Sequence, residues 1–324
     1  MAQISGTTDV LDVVGVREDL EDVIWDLFPG DTWCLSNLDK VEAKQPFHEW
    51  LLDSLASAAT NRQIEGDDAA YTTLAAATRV GNQCQISRKT FIISGTLEKA
   101  VKAGRKSEIA RAGMKAMREL KRDAEVSLVT NQASSAGGSA TARSCGSMES
   151  WIASTDNAGN GVRATTTASA STAAYSGGVT TPTDGTTTGA LTETQLKAAI
   201  ELAWQDGGDV TTVLMSSTQK KVADAFVGIA TRFVDVDKTA QASIIGAANV
   251  YVTEFGKHML VMHRYMRTSV VLCIDPSYWA VGMFRAPFME ELAKTGDAEK
   301  RQVLMEYTLV SRNANASAKV AACA

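Results

Sequence analysis

The sequence predicts an α+β protein whose body carries extensions. Three observations support this. Residues 82–94 (NQCQISRKTFIIS) read as a strand, break at Gly95-Thr96 and run into proline-free helical sequence from Leu97 to Val129. Beyond residue 191, helical and strand patterns alternate loosely, as expected of an α+β body. Between these regions, 23 of the 27 residues in 164–190 are Ser, Thr, Ala or Gly, which offers little apolar surface to bury.

The elements follow in chain order. Between Asp9 and Asp31 there are eight acids and one base, Arg17. Within that stretch Leu20, Val23, Ile24, Leu27 and Phe28 recur at helical spacing until Pro29-Gly30, which predicts a short amphipathic helix on an arm over residues 1–35. HEWLLDSLAS (48–57) fits helix or strand, and Gly66-Asp67-Asp68 marks a turn or loop tip. In the strand that follows, Cys84, Ile86, Thr90 and Ile92 share one face, with Arg88 interrupting it, and Gln83, Gln85, Ser87 and Lys89 share the other. Phe91 to Ile93 is apolar on both faces, as expected where a strand enters the body. The plausible picture is a long two-stranded excursion with a polar tip, which needs a partner surface because a lone hairpin is marginal in water.

A helix over 97–130 would be a rod of roughly 50 Å, or less if Gly104 interrupts it. Its apolar stripe is Ile109, Gly113, Met117, Leu120, Ala124 and Leu128. The rest is charged, including Arg111, Lys115 and Arg118, and reads as a solvated face or as a basic rod that meets an acidic arm or a polyanion. The Ser/Thr/Ala/Gly-rich insertion spans 133–190, with Trp151-Ile152 as its anchor. Thr192 and Gln195 make a capping box for a helix bearing Leu196, Ile200 and Trp204, and Gly207-Gly208 ends it. A strand at 210–215, a helix capped by Ser216 or Ser217, a hairpin around Phe255-Gly256-Lys257, a strand at 270–274 and a late strand at 301–311 complete the body.

The bulk numbers exclude several classes. The net charge of −5 argues against a dedicated nucleic-acid binder, though not against a local basic face. Five scattered cysteines without a Cys-x-x-Cys pair indicate neither a disulfide framework nor a zinc site, and read as reduced thiols. MAQISGTTDV lacks the basic and apolar regions of a signal peptide, and no apolar run approaches about 20 residues, so folding in cytoplasm is expected.

One catalytic arrangement requires weighing. Ser217-Thr218-Gln219-Lys220 fits S-x-x-K and Lys294-Thr295-Gly296 reads K-T-G, an echo of penicillin-binding serine acyltransferases. No Ser-Asp-Asn lies between them, and Ser217 is equally explained as a helix cap. His48, His258 and His263 form no metal spacing; the last two, five apart on a strand, face opposite sides. No phosphate loop, H-E-x-x-H or G-x-S-x-G is present. The expectation is therefore no catalytic, cofactor or metal site and a structural, non-enzymatic role.

The order of parts (arm, long β excursion, spine helix, central α/β part, final strand) resembles the major capsid proteins of tailed bacteriophages, the Johnson fold. Local strings are similar to one phage major head protein family. They are Glu49-Trp50, Asn82 to Ile86 (NQCQI), Ser94-Gly95-Thr96, Glu119-Leu120 to Glu125, Trp204 with Gly207-Gly208, Phe255-Gly256, Leu292 to Asp297 (LAKTGD) and Glu306-Tyr307-Thr308-Leu309. The stretch 155–190 departs from that family in being longer and richer in Thr.

The resemblance implies an N-terminal arm at 1–35 and an extended loop at 36–95. It implies a peripheral domain at 96–190 with spine helix 97–130, an axial domain at 191–290 and a return to the peripheral domain at 291–324. It implies self-assembly into hexamers and pentamers of an icosahedral head in the virion. Packaged double-stranded DNA would lie on the inner face without sequence reading, with a portal and, where used, a scaffold or cement protein as further partners. The inter-subunit contact candidates are Glu49, Trp50, Asn82, Gln83, Gln85, Arg88, Lys89, Arg111, Lys115 and Arg118. The alternatives are a non-viral cage, another phage structural component, or the serine acyltransferase using Ser217 and Lys220.

Overall fold

The structure, a computed structural model, describes residues 31–152, 189–226 and 250–323, apart from Ser54, Ser57, Ala69, Ala70, Thr72, Ala75, Ala103 and Ala322. The expected amphipathic helix at 20–28 and most of the 164–190 tract lie outside the described residues.

The chain runs through helix α1 (Trp33–Asn37), strands β1 (Asp39–Glu42), β2 (Phe47–Leu52), β3 (Thr78–Gln83) and β4 (Gln85–Ser94), and helices α2 (Gly95–Lys99), α3 (Glu108–Val129) and α4 (Met148–Trp151). Then come α5 (Glu193–Gln205), β5 (Thr212–Met215), α6 (Ser217–Asp224), β6 (Val250–Thr253), β7 (Gly256–Met262), β8 (Val271–Ile274), β9 (Trp279–Leu292), β10 (Ala298–Ser311) and β11 (Ala318–Val320). Three sheets result among the described residues: β1-β9-β10-β4, β11-β8-β5-β7-β6 and the pair β2-β3.

The spine helix differs from its expected span of 97–130. It is two helices, α2 and α3, and α3's 22 residues make a rod of about 33 Å. The physical reason lies in 100–107. Ala100 turns extended, Gly104 takes φ +70, and Ser107 caps a fresh helix by accepting from the Ala110 N–H. Glu98 reaches across the break, its Oε2 accepting from the N–H groups of Glu108 (2.9 Å) and Ile109 (3.4 Å). Those first-turn donors would otherwise lack partners. Gly95, where strand meets helix, lies against the Asp297 carboxylate, which an added Cβ would approach to 2.4 Å and displace.

The strand 82–94 also divides. Cys84 donates its N–H to Pro46 O (2.7 Å), β3 pairs with β2, and β4 pairs with β10 from Gln85↔Tyr307 to Ser94↔Ala298. On β4 it is the polar face that is covered. Gln85, Ser87, Lys89 and Phe91 are partly covered, while Ile86, Arg88, Thr90 and Ile92 are exposed. Helix α3 takes the polar face because it supplies partners there: Ser127 for Gln85 and Asp123 for Lys89.

The buried stripe of α3 is Gly113, Ala116, Leu120, Ala124, Glu125, Leu128 and Val129, close to the expected one with a carboxylate added. It packs with Val303, Met305, Tyr307 and Leu309 of β10, with Trp151 and Ile152, and with Leu214, Leu272 and Ile274 from the back of the five-stranded sheet. That sheet's other face packs Val213, Met215, Leu260 and Cys273 against Leu196, Ala199, Ile200 and Ala203 of α5. The capping box of α5 forms as expected: Thr192 Oγ1 accepts from Gln195 N–H and Gln195 Oε1 from Thr192 N–H.

Candidate functional site

The most unusual surface is the excursion between β2 and β3, built on a closely tied base. The two strands pair antiparallel from Phe47↔Gln83 to Leu52↔Thr78. At the base, Asn82 is fully buried. Its Nδ2 donates to Leu309 O (2.8 Å) and Gly146 O (3.1 Å), and its Oδ1 accepts from the N–H groups of Gly146 (2.8 Å) and Gln83 (3.0 Å). Trp50 donates from Nε1 to Ser311 O (2.9 Å) and lies 5.6 Å from the Trp151 ring. Gln85 Oε1 accepts from Gln132 Nε2 (2.6 Å) and Cys145 N–H (3.3 Å). Four donors or acceptors on one buried amide fix the excursion's root without depending on burial of its own side chains.

Past the base the described residues stand out in solvent. Every described residue from 53 to 77 is exposed, and a turn at Glu65-Gly66, with Gly66 at φ +84, marks the tip. Four large apolar side chains stand in water there: Leu55 (99% exposed), Tyr71 (97%), Leu74 (91%) and Ile64 (80%). These residues were not among the sequence candidates. The signal that could have found them is apolar residues scattered in a tract without helical or strand period.

The candidates divide. Trp50, Asn82 and Gln85 make contacts within the chain, their polar groups meeting Ser311, Leu309, Gly146 and Gln132. Lys89 pairs with Asp123 (2.6 Å), Glu49 with Arg79 and Arg111 with Glu108 (3.1 Å); Gln83 is half-buried at the strand junction. Arg88, Lys115 and Arg118 are exposed. Arg88 shares the outer face of β4 with Ile86 (46% exposed) and Ile92 (60%).

The acyltransferase arrangement is not assembled in a recognisable form. Ser216, not Ser217, caps α6 by accepting from Gln219 N–H, and Lys220 pairs with Asp224 on its own helix. Lys294-Thr295-Gly296 sits in the turn joining β9 to β10, with Lys294 on Glu299 (3.4 Å).

One buried cluster was not anticipated from sequence spacing. Cys34, Glu125 and His263 have ligand atoms all within 4.8 Å of one another. Glu125 Oε1 accepts from Cys34 N–H (2.6 Å) and meets His263 Nε2 (2.8 Å), and Oε2 accepts from Leu35 N–H (3.1 Å). Burial first, and then the Glu125 charge, hold the Cys34 thiol well above its usual pKa. His258, as expected, faces the other way, onto Val210 O and Thr253.

The body is thus two sheets packed with the long helix α3, from which the β2–β3 excursion projects. The chain superposes on a chain of the cyanophage A-1(L) capsid asymmetric unit with a TM-score of 0.63, at 13% identity over 99% of both chains. It superposes on a capsid chain of a native GTA particle with a TM-score of 0.61, at 10% identity over 95% of this chain and 96% of that one. These likenesses establish the tailed-phage capsid (Johnson) fold. The chain belongs to the SU10 major capsid protein family, whose family model matches residues 3–324. It is 27% identical to the major capsid protein of Escherichia phage Phieco32, over 90% of each. It is thus a phage major capsid protein, a component of the virion shell.

Proposed function

We propose that the chain closes its shell as pentamers and hexamers by laying the excursion at 47–83 over a neighbouring copy. The observation that carries this is the exposure of Leu55, Ile64, Tyr71 and Leu74 beyond a root fixed by Asn82. Burying one such side chain contributes about 1.5–3 kcal/mol, which the isolated subunit forgoes and a neighbour recovers. Contacts of this kind are heterologous, and they close into rings when the rotation permits.

In this reading 1–35 is an arm and 36–95 the extended loop. The segment 96–190 with 291–324 forms the peripheral domain, and 191–290 the axial domain. Double-stranded DNA lies against the inner wall through phosphate contacts without base reading; a portal and, where used, a scaffold or cement protein complete the head. The subunit performs no chemistry of its own. Lys220 held on Asp224, and K-T-G in the connection between β9 and β10, both support that.

Leu52 and Thr78 oppose one another directly, so a two-residue Asn-Gly turn can join them in place of 53–77. The shortened chain is expected to keep its circular dichroism and melting transition and to form no closed particles by electron microscopy. Closed shells at normal yield would sink the proposal.

A further inference from the structure

We infer that Cys34, Glu125 and His263 form a divalent-metal site, with zinc as the ion their chemistry fits best. The three side chains come from α1, α3 and the residue after β7, 91 and 138 positions apart in the pairs that touch Glu125. Among the described residues no other group of three His, Cys, Asp or Glu side chains converges in this way, and all three are buried.

Charge selects the ion's valence. A thiolate, a carboxylate and a neutral imidazole sum to −2, so a divalent cation makes the buried site neutral, which a low-dielectric interior favours. Without a cation, an ionised thiol beside Glu125 is repelled by the carboxylate; a metal between them turns both charges into attraction. The donor set selects the element. Sulfur with imidazole nitrogen suits zinc, whereas magnesium and calcium require oxygen donors. Three protein ligands leave one tetrahedral position for water.

The proton balance is simple. Cys34 gives up its thiol proton to solvent as its sulfur binds the metal. His263 keeps one proton, moved from Nε2 to Nδ1, so that Nε2 can bind. That move gives up a long contact in which the Tyr265 N–H donates to Nδ1 (3.3 Å). Leu35 N–H holds Oε2 of Glu125, leaving Oε1 to turn from Cys34 N–H toward the ion. Such a site would staple α1, and so the segment before it, to both the spine helix and the five-stranded sheet.

The test uses the full-length chain purified without chelator. Elemental analysis is expected to find about one zinc per chain. Cobalt(II) offered in its place should produce sulfur-to-cobalt charge-transfer absorption. Cys34→Ser should abolish that band and lower bound zinc to about a tenth or less. His263→Gln retains an N–H able to donate to Glu125 but cannot bind as imidazole does, so it should lose metal while keeping its fold. A wild-type chain with neither zinc nor the cobalt band overturns the site, as does undiminished metal in His263→Gln. If Cys34→Ser fails to fold, the wild-type and His263→Gln measurements still decide. None of these outcomes depends on whether particles form, so failure here is separable from failure of the assembly proposal.

Discussion

The body and the excursion are adjacent stretches of one chain that treat water in opposite ways. In the body, Asn82 and Glu125 are enclosed and paired: Asn82 makes four hydrogen bonds, and Glu125 accepts from two backbone N–H groups. In the excursion, apolar groups are left exposed: Leu55, Ile64, Tyr71 and Leu74 cover nothing. The body is built to be complete as a monomer and the excursion is not. Strand β4 belongs to both regimes, with Gln85 and Lys89 tied to α3 on one face and Ile86 and Ile92 exposed on the other.

The largest test of that contrast lies deepest in the body. Trp279 is fully buried and donates from Nε1 to Ser317 Oγ (2.9 Å). Trp279→Ala should cost about 3–5 kcal/mol, read as a shift of the urea midpoint of the unassembled chain. A small shift would mean the body is less self-sufficient than its packing indicates. Next comes Asn82→Ala, expected to cost about 1–3 kcal/mol because it strands the carbonyls of Gly146 and Leu309 and the Gly146 N–H. Its assembly defect should follow its stability loss and be rescued by conditions that stabilise the fold.

How much of this was legible in the sequence follows the same division. The α+β class, the capping box at Thr192, the buried stripe of α3 and the anchor Trp151-Ile152 were readable because they are local or periodic. The break at 100–107 was harder, since it rests on Glu98 capping a helix that begins ten residues later. Which face of β4 is covered was not readable, because alternation separates two faces without naming the one a helix will take. Asn82 could be found as a candidate but not assigned: its partners lie 64 and 227 residues away. Cys34, Glu125 and His263 gave no spacing to read, although a glutamate within the apolar stripe of α3 was a signal.

A third prediction probes the excursion. Leu55→Ser, Tyr71→Ser and Leu74→Ser together should change monomer stability by no more than about 0.5 kcal/mol, since these side chains are already solvated. Particle yield should nevertheless fall at least about tenfold, the loss expected for only 1.4 kcal/mol of contact energy. Light scattering under assembly conditions reads the yield. Loss of the melting transition instead would show that the tip supports the body, and the contrast would fail.

The smallest effect sits at the junction of strand and helix, where the two regimes meet. Hydrogen bonding from Ser107 first, with help from the Glu108 and Ile109 N–H groups and Lys102, lowers the Glu98 pKa below its ordinary value against an opposing desolvation. A lowered carboxyl pKa stabilises the fold above the unfolded value, near 4.3, and that stability is lost as pH falls through the folded value. Glu98→Gln imitates the protonated acid. At neutral pH it should weaken hydrogen-exchange protection at Glu108 and Ile109 while leaving the global transition unmoved. The gap between variant and wild type should close as pH falls through the lowered folded value, because the wild-type carboxyl is then neutral as well. A gap that persists in acid would mean the clamp acts through shape alone. A variant that lowers the global transition would place this junction in the self-sufficient body.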